Sequence, residues 1–344
     1  MAKIDKVAIG ASLGGQKTLS EYFKNLPKHC QASFFVVQHL APHAESNLSY
    51  FLSKSTNLRV VEAESGIAVE PATVYVAKPN YHLTVTNDTI FCNVGPRENR
   101  FRPSIDVMMR SLAFEYRNRL IGIIVSGLLN DGASGLAAVN RSGGIVLVQD
   151  PKEAIAPGMP EAAIAATEPA AILNTRELAL KTAELIGTLS TKQPVVSRMD
   201  ELEQEYSNQL LSEPGVDNEL GRLTWQTCPE CAGPLWEMKD PAVRRFRCPI
   251  GHTFSHEHLI RFQDQYIEDC LWKAYRTLRE KIRMLKLTIN DAYKSKRTAS
   301  AKYSEDILGK LTLKSQALAH LLEIDAEADV SKKSPTVTKL VMQD

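Results

Sequence analysis

From residue 7 to about 169, short runs of β-branched and aromatic residues alternate with helical patterns, and this alternation constrains the fold more than any other feature of the chain. Residues 7–9, 34–38, 60–63, 74–77, 121–126 and 145–149 read as strands, and 175–189 as a closing helix. Several strand runs carry hydrophobic residues at consecutive positions. That suits strands covered by helices on both faces, as in a parallel sheet, and predicts an α/β layered domain.

The 344 residues suffice for two domains, or for one larger domain with an appendage. With 44% hydrophobic and 24% charged residues, the chain has material for a sizeable core, which excludes wholesale disorder. Its net charge of +1 argues against nucleic-acid binding driven by global charge. No segment approaches the roughly 20 apolar residues that cross a bilayer, and glycines interrupt the N-terminus before a secretory core could form. A cytoplasmic protein without membrane insertion is expected. Six cysteines are too few for a disulfide scaffold in a chain of this length.

Residues 1–190 read as the α/β domain. Residues 191–220, with seven acidic and two basic residues, have the composition of a linker. Residues 221–255 concentrate potential metal ligands without regular periodicity, as in a small metal-stapled module. Over 256–328, Leu271, Tyr275, Leu278, Ile282, Leu285 and Ile289 form a heptad-like stripe, with a second helical pattern around Ile307, Leu311, Leu318 and Leu322. An antiparallel hairpin or an oligomerisation coil fits this pattern, and residues 329–344 read as a flexible tail.

The first strand runs into Gly10-Ala11-Ser12-Leu13-Gly14-Gly15, a turn suited either to phosphate binding or to exposing a nucleophile. A Walker loop needs Lys where Gln16 stands; Lys17 comes one residue late, about 100° round the helix. Gly10-x-Ser12-x-Gly14 fits a nucleophile turn in form, with simple helix capping by Ser12 as the plainer alternative. A serine nucleophile needs a base, and the base an orienting carboxylate. His39 directly follows the second strand and Asp131 lies beyond the strand at 121–126, so all three fall at strand carboxyl ends, where open α/β sheets gather their sites. Taken singly, His39 reads as a loop residue and Asp131-Gly132 as a turn. His82 reads as a packed histidine, and Cys30, Cys92 and Cys270 as ordinary thiols.

The segments IGASLGG, VVQHLAPH, VVEAESGIAVEPATVYVAKPNYHLTV, RPSIDVMMRSLA, GIIVSGLLNDGASGLAAV and VLVQDPKEAIAPGMPEAAI together resemble the catalytic domain of the CheB-type chemotaxis protein-glutamate methylesterases, over residues 5–185. The resemblance implies a doubly wound, mostly parallel sheet. It implies a triad of Ser12 as nucleophile, His39 as general base and then acid, and Asp131 as the orienting carboxylate. The implied reaction hydrolyses γ-glutamyl methyl esters on chemoreceptors through an acyl-enzyme, releasing methanol, with deamidation of receptor glutamine as a related activity and no cofactor needed for catalysis. Leu13 and Gln16 replace the family's Thr and Pro, and Leu128 and Leu129 replace a Met and a Gly. The family's oxyanion donors map onto the N–H groups of Leu128 and His39. Leu129 at a glycine position implies strain if the loop needs φ > 0. Typical members carry an N-terminal receiver domain; with the first strand at residue 7 none is expected here, and control is expected from the C-terminal half or a partner.

Cys228-x-x-Cys231 is followed after sixteen residues by Cys248-x-x-x-His252, the spacing of a four-ligand zinc site. Four protein ligands would make it closed and structural. A redox C-x-x-C lacks its βαβ setting here, and a two-Cys two-His set through His256 would orphan Cys248. Similar tails occur, on the resemblance, in methylesterase-like proteins of alternative chemosensory pathways. Arg244-Arg245-Phe246-Arg247, and ten basic against two acidic residues over 273–302, allow a nucleic-acid or acidic-protein surface, although a solvated helix face is the ordinary reading. The expected partners are a methylated chemoreceptor and chemosensory signalling proteins at the C-terminal helices, not nucleic acid. A non-catalytic chemosensory adaptor is the alternative function, and a zinc-ribbon nucleic-acid-binding regulator a third.

Overall fold

In the computed structural model, seven strands form one sheet in the order β3-β4-β2-β1-β7-β8-β9. They are β1 (Lys6–Ala11), β2 (Ser33–Gln38), β3 (Arg59–Glu62), β4 (Thr73–Val76), β7 (Leu120–Ile124), β8 (Ile145–Gln149) and β9 (Ala171–Leu173), and every neighbouring pair is parallel. Between β4 and β7 lies a separate antiparallel hairpin of β5 (His82–Thr86) and β6 (Thr89–Asn93). Its turn residues Asn87 and Asp88 both take positive φ, the geometry of a tight hairpin connection. The structure describes residues 3–39, 47–190, 192–195, 198–207, 219–240 and 242–323. The expected tail at 329–344 lies outside them.

The consecutive hydrophobics of the strands are explained by two apolar layers. Val7 and Ile9 of β1 and Phe34 and Val36 of β2 face Leu19 and Phe23 of α1 (Gly15–Asn25) and Leu178 of α6 (Thr175–Leu185). Ala8, Phe35 and Val37 face the other way, toward Met108 and Leu112 of α3 (Ile105–Tyr116) and Leu136 of α4 (Ala133–Arg141). Helices α2 (Leu48–Ser53) and α5 (Gly158–Ala166) complete this layer structure. Because the chain winds outward from β1 in both directions, a crevice opens where β1, β2 and β7 present their carboxyl ends.

The chain divides into two units, Met1–Ile260 and Arg261–Asp344. The first includes a four-stranded antiparallel sheet of β10 (Gly221–Thr227), β11 (Pro234–Met238), β12 (Arg245–Arg247) and β13 (Thr253–Ser255). Strands this short carry too few residues for a readable period. The segment expected to be a linker contains α7 (Arg198–Ser207), whose Leu202 packs with Leu220 and Met238. Its acidity has an internal use. Buried Glu203 pairs with Arg245 and, at 2.9 Å, with Arg110 of α3; Arg245 also binds Asp240 at 2.9 Å, and Arg110 binds Glu98.

The second unit is a helical hairpin. The chain enters it within α8 (His256–Lys294) and returns in α9 (Thr298–Leu321). The stripe from Leu271 to Ile289 is half-buried, Ala292 and Ala301 are buried, and the Tyr293 hydroxyl donates to Glu305 at 3.0 Å. No described helix is long and apolar enough to cross a membrane.

Arg245 holds two buried carboxylates, so Arg245→Ala should lower unfolding free energy in urea by about 3–5 kcal/mol, the cost of leaving buried charge uncompensated. Burial raises the Glu203 carboxyl, but the charges of Arg245 and Arg110 outweigh it and hold its pKa below the ordinary value of 4.5. This contribution is therefore present above that value and is lost as pH falls through the depressed folded pKa, so the difference between the two proteins should shrink in acid.

Candidate active site

The nucleophile turn is built at the end of β1. Gly14 takes φ 78°, a left-handed conformation that turns the chain from strand into α1. Ser12 N–H donates to Ser126 O at 2.9 Å, and the Ser126 hydroxyl donates to Leu13 O at 2.7 Å while accepting Ala156 N–H at 2.9 Å. Gln38 Nε2 donates to Ser12 O at 2.6 Å. Gly127 must lack a side chain, because a Cβ there would stand 2.8 Å from Ser12 Cβ. The turn is thus clamped on three sides while Ser12 stays partly open to solvent.

His39, the residue after β2, brings its ring between the other two. Nδ1 lies 3.2 Å from Ser12 Oγ, and Nε2 lies 2.7 Å from Asp131 Oδ2. With its proton on Nε2, His39 donates to Asp131 and is left to accept from Ser12. Phe101 lies flat on this ring, with centroids 3.6 Å apart and planes 5° from parallel. The structure brings Ser12, His39 and Asp131 together from three strand ends.

Asp131 has no exposed side-chain surface. Its Oδ1 accepts from Ser104 Oγ at 3.0 Å and Asn99 Nδ2 at 3.2 Å, and its Oδ2 accepts the Ile105 N–H at 2.8 Å. Ser104 caps α3, so the helix N-terminus also faces this carboxylate. Burial works to raise its pKa; the His39 hydrogen bond and charge, the Ile105 N–H and a hydrogen bond from Asp106 outweigh burial and hold it well below the ordinary carboxylate range. Asp106 goes the opposite way. Burial, and then the neighbouring charges of Asp131 and Glu98, push its carboxyl well above 3.8.

Two points depart from expectation. The His39 N–H is bonded to Ala11 O at 3.0 Å and has no capacity left for an oxyanion, whereas the N–H groups of Leu13 and Leu128 have no acceptor among the described residues. The β2–β1 pairing consumes the donor that family resemblance implied. Leu129 takes φ 67°, so the loop keeps a glycine-like conformation at a cost of about 1–2 kcal/mol. Asn99, Phe101, Ser104 and Asp106 were not singled out from sequence, although they lie in or just before the RPSID run. His82 is packed as expected, its Nδ1 accepting Ser104 N–H at 3.2 Å.

Cys228, Cys231, Cys248 and His252 also converge, with ligand atoms all within 4.8 Å of one another. The separations are 3.6 Å for Cys231 to Cys248 Sγ, 3.7 Å for Cys228 Sγ to His252 Nδ1 and 3.5 Å for Cys248 Sγ to His252 Nδ1. They fit the edges of a tetrahedron about an ion with metal–ligand lengths of about 2.0–2.3 Å. Two similar turns shape the site: Ala232 N–H bonds Cys228 O at 2.7 Å and Gly251 N–H bonds Cys248 O at 2.8 Å, with positive φ at Ala232 and Gly251. Glu230 lies 3.2 Å from His252 Nε2, where it would orient the imidazole. His256 is outside this group and neighbours the Phe246 ring.

The family model described as CheB methylesterase matches residues 7–182. A putative protein-glutamate methylesterase/protein-glutamine glutaminase of Leptospira interrogans is 35% identical over 176 residues, 51% of this chain and 91% of that relative. The protein-glutamate methylesterase FrzG of Myxococcus xanthus is 36% identical over 159 residues, 46% of this chain and 48% of that protein. The crystal structure of the Thermotoga maritima CheB methylesterase catalytic domain matches with a TM-score of 0.51 and 31% identity, covering 54% of this chain and all of that one.

Asp106 yields a prediction with a definite sign. Its folded pKa is raised, so above pH 3.8 the unfolded chain releases a proton that the folded chain keeps, and stability falls as pH rises. Asp106→Asn removes this term. Its stability relative to the wild type should improve as pH rises above 3.8 and stop improving beyond the raised folded pKa, by at most about 1.4 kcal/mol per pH unit, as read by urea unfolding at a series of pH values.

Proposed function

The chain belongs to the CheB methylesterase family and is a carboxylic ester hydrolase of the protein-glutamate methylesterase kind, and we propose that Ser12, His39 and Asp131 carry its reaction on methyl-esterified glutamates of a chemoreceptor. The observation behind this assignment is the unbroken hydrogen-bond chain of 3.2 Å and 2.7 Å from Ser12 through His39 to Asp131. As Ser12 Oγ bonds the ester carbonyl carbon, His39 Nδ1 takes its proton, and Asp131 stabilises the imidazolium through Nε2. The negative charge forming on the carbonyl oxygen is received by the Leu13 and Leu128 N–H groups. His39 returns the proton to the departing methoxide, methanol leaves, and a γ-glutamyl ester remains on Ser12. Water repeats the sequence, giving free glutamate and restoring Ser12. The same steps on glutamine release ammonia.

Leu129, at the family's glycine position, takes φ 67°, so the loop keeps the left-handed geometry at an energetic cost. The nucleic-acid reading drew on residues 244–247 and on the basic stretch 273–302. Arg245 is buried between Glu203 and Asp240, and Arg244 is bonded to Glu237 at 2.6 Å, which takes much of the charge of the first cluster out of use. Zinc is the ion we assign to Cys228, Cys231, Cys248 and His252, because three thiolates and an imidazole at tetrahedral separations suit a borderline-soft cation. With four protein ligands it would staple the small sheet and take no part in ester hydrolysis.

Wild-type protein should release methanol from methylated chemoreceptor membranes, and Ser12→Ala should lower the rate by roughly a thousandfold or more. Equal release by the two proteins would remove Ser12 from the mechanism. Metal analysis of the purified chain should give one zinc per chain, reduced in Cys228→Ser together with loss of cooperative unfolding; a zinc-free wild type with an unchanged melting curve would contradict the assignment.

A further inference from the structure

Strand β13 and the first turn of α8 lie beyond the residues matched by the family model, yet they bond directly to the groups that hold the triad. Asn99 N–H donates to Thr253 O at 2.8 Å, and Ser255 N–H donates to Asn99 Oδ1 at 2.8 Å. The amide nitrogen of this same Asn99 side chain bridges Asp131 and Asp106, each at 3.2 Å. A second route passes through Asn130, the buried residue next to Asp131. The Ser255 hydroxyl donates to Asn130 Oδ1 at 2.8 Å, and Asn130 Nδ2 donates to the Glu257 carboxylate. A third reaches His39. Phe101, flat on the His39 ring, meets the ring of His258 edge-on at 6.3 Å, and His258 Nδ1 lies 2.8 Å from Ser255 Oγ.

We propose that the corner between β13 and α8 is part of the catalytic centre, with Ser255 and Glu257 acting as positioning residues for Asp131, so that ester hydrolysis requires the folded small module. The proposal rests on the triad reading above and deepens it. The turn from Glu98 to Phe101 that it secures has reason to move without it: Asn99 and Arg100 both take positive φ, at 52° and 72°, and the β13 contact to Asn99 holds the turn there. Buried amides satisfied from both sides fix a side chain to within the small tolerance that acid–base catalysis needs, and a displacement near 1 Å costs about a hundredfold in rate.

The test uses the full chain and two readouts. Glu257→Ala should lower kcat for methyl-ester hydrolysis roughly 10- to 100-fold with KM unchanged, and Glu257→Gln, whose carbonyl oxygen still accepts from Asn130, should restore most of it. In parallel, the low-field proton resonance of the His39–Asp131 hydrogen bond, identified by its loss in Asp131→Asn, should vanish or broaden in Glu257→Ala and return in Glu257→Gln. Ser255→Ala serves as a second variant, and cooperative melting certifies that each protein is folded. A folded Glu257→Ala that keeps both kcat and the resonance overturns the proposal. A resonance that follows Glu257 in a wild type that hydrolyses no ester sinks the esterase assignment and supports the positioning role.

Discussion

Asp131 is ionised where no water reaches it, and the first unit is arranged around that charge. Burying a carboxylate costs several kcal/mol unless the protein replaces its hydration, and here the replacement comes from His39, Asn99, Ser104, the Ile105 N–H and the start of α3. These groups come from separate stretches of chain. The end of β2, the residues leading into α3 and the turn before α4 must converge to within hydrogen-bond distance, which only the finished sheet achieves. The upward shift of the Asp106 carboxyl belongs to the same solution, because a second full anion beside Asp131 is disfavoured.

A second group of buried charges, Arg110 and Arg245 with Glu98, Glu203 and Asp240, is joined to the first by α3. Asp106 and Arg110 stand one turn apart on this helix, so one face of it serves the triad at its start and the ion pairs further along. The ion pairs in turn draw in α7 and the β11–β12 connection. Catalytic domain, intervening helix and small sheet thus share one electrostatic framework, in keeping with their falling within a single unit.

Much of this was legible in the sequence, and for identifiable reasons. Runs such as FFVVQ announce a strand covered on both faces, and parallel sheets bring their carboxyl-end loops together, so Ser12, His39 and Asp131 could be named without coordinates. The clustering of Cys228, Cys231, Cys248 and His252 was legible because their spacing is one that a four-ligand metal site would dictate. What escaped was long-range and aperiodic. Ser255 meets Asn99 across 156 residues, and no local pattern encodes such a pairing. The acidity of α7 read as solvation, because a charge count cannot tell a solvated glutamate from one such as Glu203 that is matched by a buried arginine. Strand β9, three residues long, is too short to show a period. The family resemblance also misplaced one donor, since the His39 N–H belongs to the β2–β1 pairing and that assignment depends on register.

The strand-like contact of Thr253–Ser255 with the residues before α3 also bears on what counts as a domain in this protein. Similarity ends at residue 182, and a boundary drawn there would follow ancestry. The hydrogen bonds draw another boundary. A chain cut after α6 would leave Asn99 Oδ1 and the Asn130 amide without these partners at the back of the triad, so on the positioning role proposed above the piece shared with the family and the working piece are different lengths of the same polypeptide. Transplanting the esterase into another protein would then mean carrying the β13–α8 corner along.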